Sequence, residues 1–227
     1  MDTPELMANK STARAWARAQ VRAATSKPEG DWASSLREVW GIVRDHGGFP
    51  GAPANSVPVP ILMAFVPILG EPDPMCMLSD AAEAGWRIAV GRGTSRTSTL
   101  QVVAIDPAAI GGGRWHRDQC EPDAWGMAVP RDRVPASSAD VAAVVVPGMA
   151  FDRTGHRLGR GAGVYDRFLA TLPPTALRVG LVPSNRVVDR LPVDPHDVPM
   201  HVVATEREVL RLAPPTAAGC GTMPMSH

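Results

Sequence analysis

The residues best able to do chemistry gather in one stretch, Val144 to Leu169, which reads VVVPGMAFDRTGHRLGRGAGVYDRFL. Gly155, Gly159, Gly161 and Gly163 are interleaved there with Arg157, Arg160 and Arg167. Glycines let backbone N–H groups crowd an anion with no Cβ in the way. Arginines add paired donors whose geometry matches phosphate oxygens. The run from Ala142 to Val146 is apolar and stopped by Pro147-Gly148, so it reads as a buried strand. Val164, Phe168 and Leu169 then follow at helical spacing, and a helix N-terminus at that point would add partial positive charge. Strand, Gly/Arg loop and helix together describe a phosphate site. By composition alone, an ordinary surface loop before a helix fits equally well.

Other phosphate loops fit poorly. A P-loop needs Gly-Lys-Ser/Thr, and here Val164-Tyr165 follows Gly163. The dinucleotide fingerprint needs G-x-G-x-x-G, whereas Gly159, Gly161 and Gly163 read G-x-G-x-G. A Ser/His/Asp triad is also disfavoured, because Ser184 lies in a Pro-Ser-Asn turn with no nucleophile elbow.

The elements that must position this stretch alternate. Asn9 to Ala24 reads as a helix with a basic ridge, Lys10, Arg14, Arg18 and Arg22, beside Ala13, Ala17 and Val21. Asp31 to Arg44 is a second amphipathic helix whose Trp32 and Trp40 suit a core. Gly47 to Pro60 is a Gly/Pro-rich loop. Strand Ile61–Val66, helix Asp73–Ala84, and strands Arg87–Val90 and Leu100–Ile105 follow, then a Gly-rich loop over Gly111–Asp123. After the Gly/Arg stretch come strand Leu177–Val182, a further strand and a closing helix. This order implies a mostly parallel sheet covered on both faces, in one domain over residues 1–212, with a disordered tail over 213–227.

Bulk properties exclude several classes. The chain has 227 residues, with Lys+Arg and Asp+Glu at 23 each, so no net field recruits nucleic acid or an anionic membrane. Cys76, Cys120 and Cys220 are odd in number and widely spaced, which fits neither a disulfide framework nor a zinc site, and His116 lacks metal-ligand spacing. The longest apolar run, Ile61 to Leu69, is too short to span a bilayer, and a cytoplasmic location is expected.

The organising stretch resembles the signature of the 5-formyltetrahydrofolate cyclo-ligase (methenyltetrahydrofolate synthetase) family, P-G-x-x-F-D-x-x-G-x-R-L-G-Y/R-G-x-G-Y-Y-D. Pro147, Gly148, Phe151, Asp152, Gly155, Arg157, Leu158, Gly159, Arg160, Gly161, Gly163, Tyr165 and Asp166 match it. Lys10 and Arg14 match the family's N-terminal K-x-x-L-R with Ala13 in place of leucine, and likeness resumes from Val187 through His196-Asp197-Val198 to Glu206. What the resemblance implies is a three-layer α/β/α fold akin to the ribose-phosphate isomerase and CoA-transferase group. It also implies an ATP- and Mg²⁺-dependent cyclisation of 5-formyltetrahydrofolate, with no covalent nucleophile.

By that likeness Lys10, Arg14, Arg157, Leu158, Gly159, Arg160, Gly161, Ala162, Gly163, Val164 and Tyr165 bind ATP, and Arg160 and Lys10 are catalytic. Val66, Glu71, Trp125, Arg160 and Tyr165 meet the folate, while Asp166 and Asp197 hold Mg²⁺. His196-Asp197 looks like a catalytic pair, yet Asp197 suits a metal carboxylate better. Partners are then small molecules, reduced folate and ATP, with the protein a monomer or small homo-oligomer. Val164, Ala162, Asn185, Arg186, Gly91 and Val129 depart from the family pattern. Two other readings stay open: a relative acting on a different formyl or amide substrate, and a silent nucleotide- or folate-binding module.

Overall fold

A computed structural model describes residues 8–23, 30–46, 59–68, 70–93, 99–106, 120–124, 126–131 and 133–212. The loop expected over Gly47–Pro60, apart from its last two residues, and the tail over 213–227 lie outside them, as do His116, Trp125 and Cys220.

Helix α1 spans Lys10–Ala23, and Asn9 caps it, its Oδ1 accepting from the N–H groups of Ser11 (2.9 Å) and Thr12 (3.0 Å). Helix α2 spans Trp32–His46 and is capped by Asp31, whose Oδ1 accepts from Ser34 N–H at 3.0 Å. Its buried side chains Leu36, Val39, Trp40 and Val43 fall at helical spacing on one face. Helix α3 is Met75–Glu83 and α4 is Val164–Leu169.

The strands are β1 Ile61–Ala64, β2 Arg87–Gly93, β3 Leu100–Ile105, β4 Cys120–Pro122, β5 Ala128–Pro130, β6 Arg133–Pro135 and β7 Val141–Pro147. They continue with β8 Ala150–Asp152, β9 Arg157–Leu158, β10 Leu177–Leu181, β11 Val187–Val188, β12 Val202–Ala204 and β13 Val209–Arg211. An eight-stranded sheet runs β13-β12-β10-β7-β1-β2-β3-β6. From β12 to β2 every neighbour pair is parallel, and the edges β13, β3 and β6 are antiparallel. Strand β1 is buried along its whole length, which is why its sequence is continuously apolar rather than alternating.

The two faces are covered differently. Helices α2 and α3 pack on one, where Leu36, Val39 and Leu78 meet Leu62, Val90, Val145 and Val179, and Trp40 meets Trp86 edge to face at 5.5 Å. The other face carries short α4, through Phe168 and Leu169, and Phe151 from a separate three-stranded sheet, β11-β8-β9. Helix α1 lies on that small sheet, burying Ala13 and Ala17 against Met149, Ala150, Leu158 and Leu191. So the expected helical layer on this face is in large part a second sheet.

Two motif residues turn out to be structural. The Phe151 ring fills the space beside Gly148 and Gly180, and a Cβ on Gly148 would sit 2.5 Å from its Cε2. Asp152, fully buried, accepts from Thr154 N–H and Oγ1–H, His156 N–H and Leu191 N–H at 2.8–3.0 Å. Its carboxylate therefore ties the hairpin β8–β9 to the chain after β11.

The expected closing helix is absent from the described residues; the chain ends there as the antiparallel pair β12–β13. Thr205 makes the turn, its N–H donating to Glu208 O at 2.9 Å and its Oγ1 accepting from Arg207 and Glu208 N–H. Just before β12, both ring nitrogens of His201 face Arg178 on β10: its backbone N–H is 3.1 Å from Nδ1 and its Nη2 is 2.8 Å from Nε2. The His46 ring, at the end of α2, is 6.1 Å away.

Candidate active site

In parallel sheets, ligands collect beyond the carboxyl ends of the strands, where loops diverge. Here β1 ends into Phe65, Val66 and Glu71, β7 into Gly148 and Met149, and β10 into the 3-10 turn Ser184–Arg186. Together with α1 and the Gly/Arg loop, these segments enclose a cleft of about 840 Å³. Every site residue expected from sequence lines it except Trp125, which is outside the described residues.

Helix α1 forms one wall. Because Ala13 and Ala17 are seated on the small sheet, the residues flanking them, Lys10, Arg14, Arg18, Val21 and Arg22, reach the cleft. Arg18 and Arg22, which read in the sequence as a solvated face, are exposed and line the cleft as well. Arg14 Nε donates to the Gly159 carbonyl at 3.1 Å, fastening the Gly/Arg loop to the helix.

The loop itself turns through Gly161 (φ +110°) and Gly163 (φ +63°), backbone that a side chain would strain. Arg167 closes it, Nη2 donating to Ala162 O at 3.0 Å. Helix α4 then has only 6 residues. A dipole that short contributes little electrostatic attraction for an anion.

Cations and acids of the cleft are matched against each other. Lys10 Nζ lies 2.6 Å from both Asp194 Oδ2 and Asp197 Oδ2. Arg157 Nη2 donates to Asp166 Oδ2 at 2.9 Å, and its guanidinium sits 5.4 Å from the centre of the Tyr165 ring. Arg160 Nη2 is 3.6 Å from Glu71 Oε1. The remaining lining carries Arg14, Arg18, Arg22, Arg186 and Asp123, together with apolar side chains such as Phe65, Val66, Leu100, Met127 and Ala128.

Protonation follows from this arrangement. Burial acts to lower the Lys10 pKa, but hydrogen bonds to Asp194 and Asp197 outweigh it and hold the ammonium above its usual value. For Asp197, burial acts upward and is overcome by the Asp194 N–H and by Lys10, leaving the carboxyl below its ordinary range. Burial dominates at Glu71 and pushes it up, against the Ile68 N–H and the charges of Arg160 and Arg186. The Tyr165 phenol is also pushed up by burial, with the Glu71 charge adding to the effect.

Asp194, His196 and Asp197 each offer a ligand atom within 4.8 Å of the others. Hard carboxylate oxygens such as these suit Mg²⁺, which keeps several waters and takes few protein ligands. Asp166, the other acid expected to hold it, is engaged by Arg157. Asp194 was not singled out from sequence, although it stands three residues before Asp197 in the V-D-P-H-D segment.

Of the departures, Ala162, Val164, Gly91 and Arg186 line the cleft, whereas Val129 is buried in the core at 1% exposure.

Residues 60–206 match the model of the 5-formyltetrahydrofolate cyclo-ligase family. The 5-formyltetrahydrofolate cyclo-ligase of Mycolicibacterium smegmatis is 32% identical over 152 residues, covering 66% of this chain and 75% of the relative. That of Escherichia coli (strain K12) is 39% identical over 80 residues, covering 35% of this chain and 43% of the relative. The NMR structure of Aquifex aeolicus 5,10-methenyltetrahydrofolate synthetase superposes with a TM-score of 0.54 at 24% identity, over 84% of this chain and 97% of that one, a likeness of fold. Because the matched span carries the parallel strands, the Gly/Arg loop and the acids that build the cleft, the chain belongs to the 5-formyltetrahydrofolate cyclo-ligase family of enzymes.

Proposed function

We propose that this protein uses ATP to cyclise 5-formyltetrahydrofolate to 5,10-methenyltetrahydrofolate, releasing ADP and phosphate. The observation that carries the reading is the single cleft in which Lys10 and Arg14 of α1 meet Arg157, Arg160 and the Gly159–Gly163 backbone, with Glu71 and Tyr165 in the same lining. Arg157 supports it further, since its Nε is buried without a hydrogen-bond partner, and a phosphate oxygen would satisfy it.

In this reaction the formyl oxygen attacks the γ-phosphorus and the bond to ADP breaks, ADP leaving with the electron pair. Folate N10 then attacks the activated formyl carbon, closes the ring and loses its proton as phosphate departs with the C–O electrons. Phosphoryl transfer asks a protein mainly for position and compensating charge. Lys10, Arg14 and Arg157 neutralise the triphosphate, and Arg160 lies against the transferred group. Glu71 accepts from the donor edge of the pterin, with Val66, Tyr165 and Trp125 flanking it. Asp166 and Asp197 would hold Mg²⁺, which when bound offsets phosphate charge. The lysine and arginine now paired with these acids exchange a carboxylate for a phosphate when substrates enter.

The test is growth of the near-UV methenyl chromophore on mixing protein, ATP, Mg²⁺ and 5-formyltetrahydrofolate. Growth that depends on ATP and is lost in Asp166→Ala supports the reading. ATP binding without any chromophore would refute it in favour of a different formyl or amide substrate, the reading that Val164 and Arg186 in the cleft would then favour.

A further inference from the structure

Among the described residues, Arg186 is, with Arg157, one of the two buried arginines that line the cleft. It is 4% exposed, whereas the Arg160 side chain is 68% exposed. A buried guanidinium is costly unless hydrogen bonds and opposite charge offset its lost hydration. Arg186 has both. Its Nη2 donates to the carbonyl of Gly70, the residue before Glu71, and Glu71 supplies the opposite charge.

The turn that carries Arg186 is fastened from its other side. Glu206 accepts from Ser184 N–H at 2.8 Å and from the Ser184 hydroxyl, and Arg186 N–H donates to Pro183 O at 2.9 Å. Arg186 is thus a fixed cation on a fixed turn, while Arg160 is a long side chain on the Gly/Arg loop.

Glu71 is faced by Arg160 from that loop, by Arg186 from the turn and by the Tyr165 phenol from α4, and it accepts from Ile68 N–H at 3.2 Å. The proposed reaction calls on Arg160, which lies 3.6 Å from Glu71, for the transferred phosphoryl group. We propose that Arg186 is the positioning residue for Glu71, anchoring the Gly70–Glu71 turn and remaining as its compensating cation when Arg160 moves to the phosphoryl group. The inference rests on the assignment of Glu71 to the folate made above.

The experiment follows kcat/KM for 5-formyltetrahydrofolate from about pH 5 to about pH 9 in the parent protein, Arg186→Gln, Glu71→Gln and the double variant. Removing an opposite charge at this range raises a carboxyl by about one pH unit or more. Arg186→Gln should therefore shift the acid limb upward and cut kcat/KM about ten-fold more below the inflection than on the alkaline side, where only the lost anchor on Gly70 raises KM. In the Glu71→Gln background the same substitution should leave the limb where it was.

A loss equal at every pH, an unmoved limb, or a shift that persists without Glu71 would overturn the proposal. If Arg186→Gln fails to fold, Arg186→Lys replaces it: the charge is kept and the fork lost, so KM should rise with the acid limb unmoved. A displaced limb in Arg186→Lys would overturn the proposal too. A parent protein that forms no methenyl product refutes the reaction itself and this inference with it. Product in the parent with an unmoved limb in the variant overturns the inference alone.

Discussion

Arg160 is the residue on which the proposed chemistry turns, and in the unliganded cleft it is spent on Glu71. In the proposed reaction it would compensate charge that spreads over the phosphoryl oxygens as the transfer proceeds. Loss of one such donor from a water-poor site typically costs about 10²–10³ in kcat. Arg160→Ala should lower kcat by that order while ATP still binds through Lys10, Arg14 and Arg157, and steady-state chromophore growth measures it. Full turnover in the variant would remove Arg160 from the mechanism. The residue identities of the site were legible because signature spacing ties glycines and arginines to one loop. Arg18 and Arg22 were not. Whether an arginine on a helix or turn faces water or a cleft depends on what its neighbours pack against, and here that is Ala13 and Ala17 on a second sheet.

At the level of elements, the strands of the main sheet were readable where burial on both faces imposes largely apolar runs, as in β1, β7 and β10. Strands β4, β5, β8, β9 and β11 have only 2 or 3 residues each, and pairing rather than composition defines them. The closing helix failed for a related reason: Thr205 offers the backbone a turn, and β12 has an edge that β13 satisfies. Helix α1 illustrates how an element's footing shapes its behaviour. Two alanine side chains are all it buries fully, so its opening free energy lies well below that of the sheet. Its amide hydrogens should exchange faster than those of β7. Saturating ATP should slow them about ten-fold or more, because Lys10 and Arg14 join the helix to the ligand. Exchange in α1 that ignores ATP would contradict the placement of these two residues on the phosphates.

For the whole molecule, charge balance is even, with 23 basic and 23 acidic side chains, and among the described residues no helix is long and apolar enough to cross a membrane. The site depends on three separately built parts meeting: the ends of the parallel strands, the small sheet, and α1 laid upon it. Holding strand β10 beside the lead into β12 is partly the task of His201, wedged against Arg178 with the second imidazole of His46 close by. Both its ring nitrogens face N–H groups, so an added proton finds no acceptor. Burial, then the Arg178 charge, then His46, depress its pKa from 6.5 to about 4. A depressed folded-state value means that the unfolded chain takes up the proton first. His201 therefore contributes stability in full above pH 6.5, and that contribution drains away as the pH falls toward about 4. Thermal unfolding midpoints should decline across that window in the parent protein and much less in His201→Gln; equal declines would clear His201 of the effect. Mild acid thus loosens this fold by proton uptake at the seam between β10 and β12.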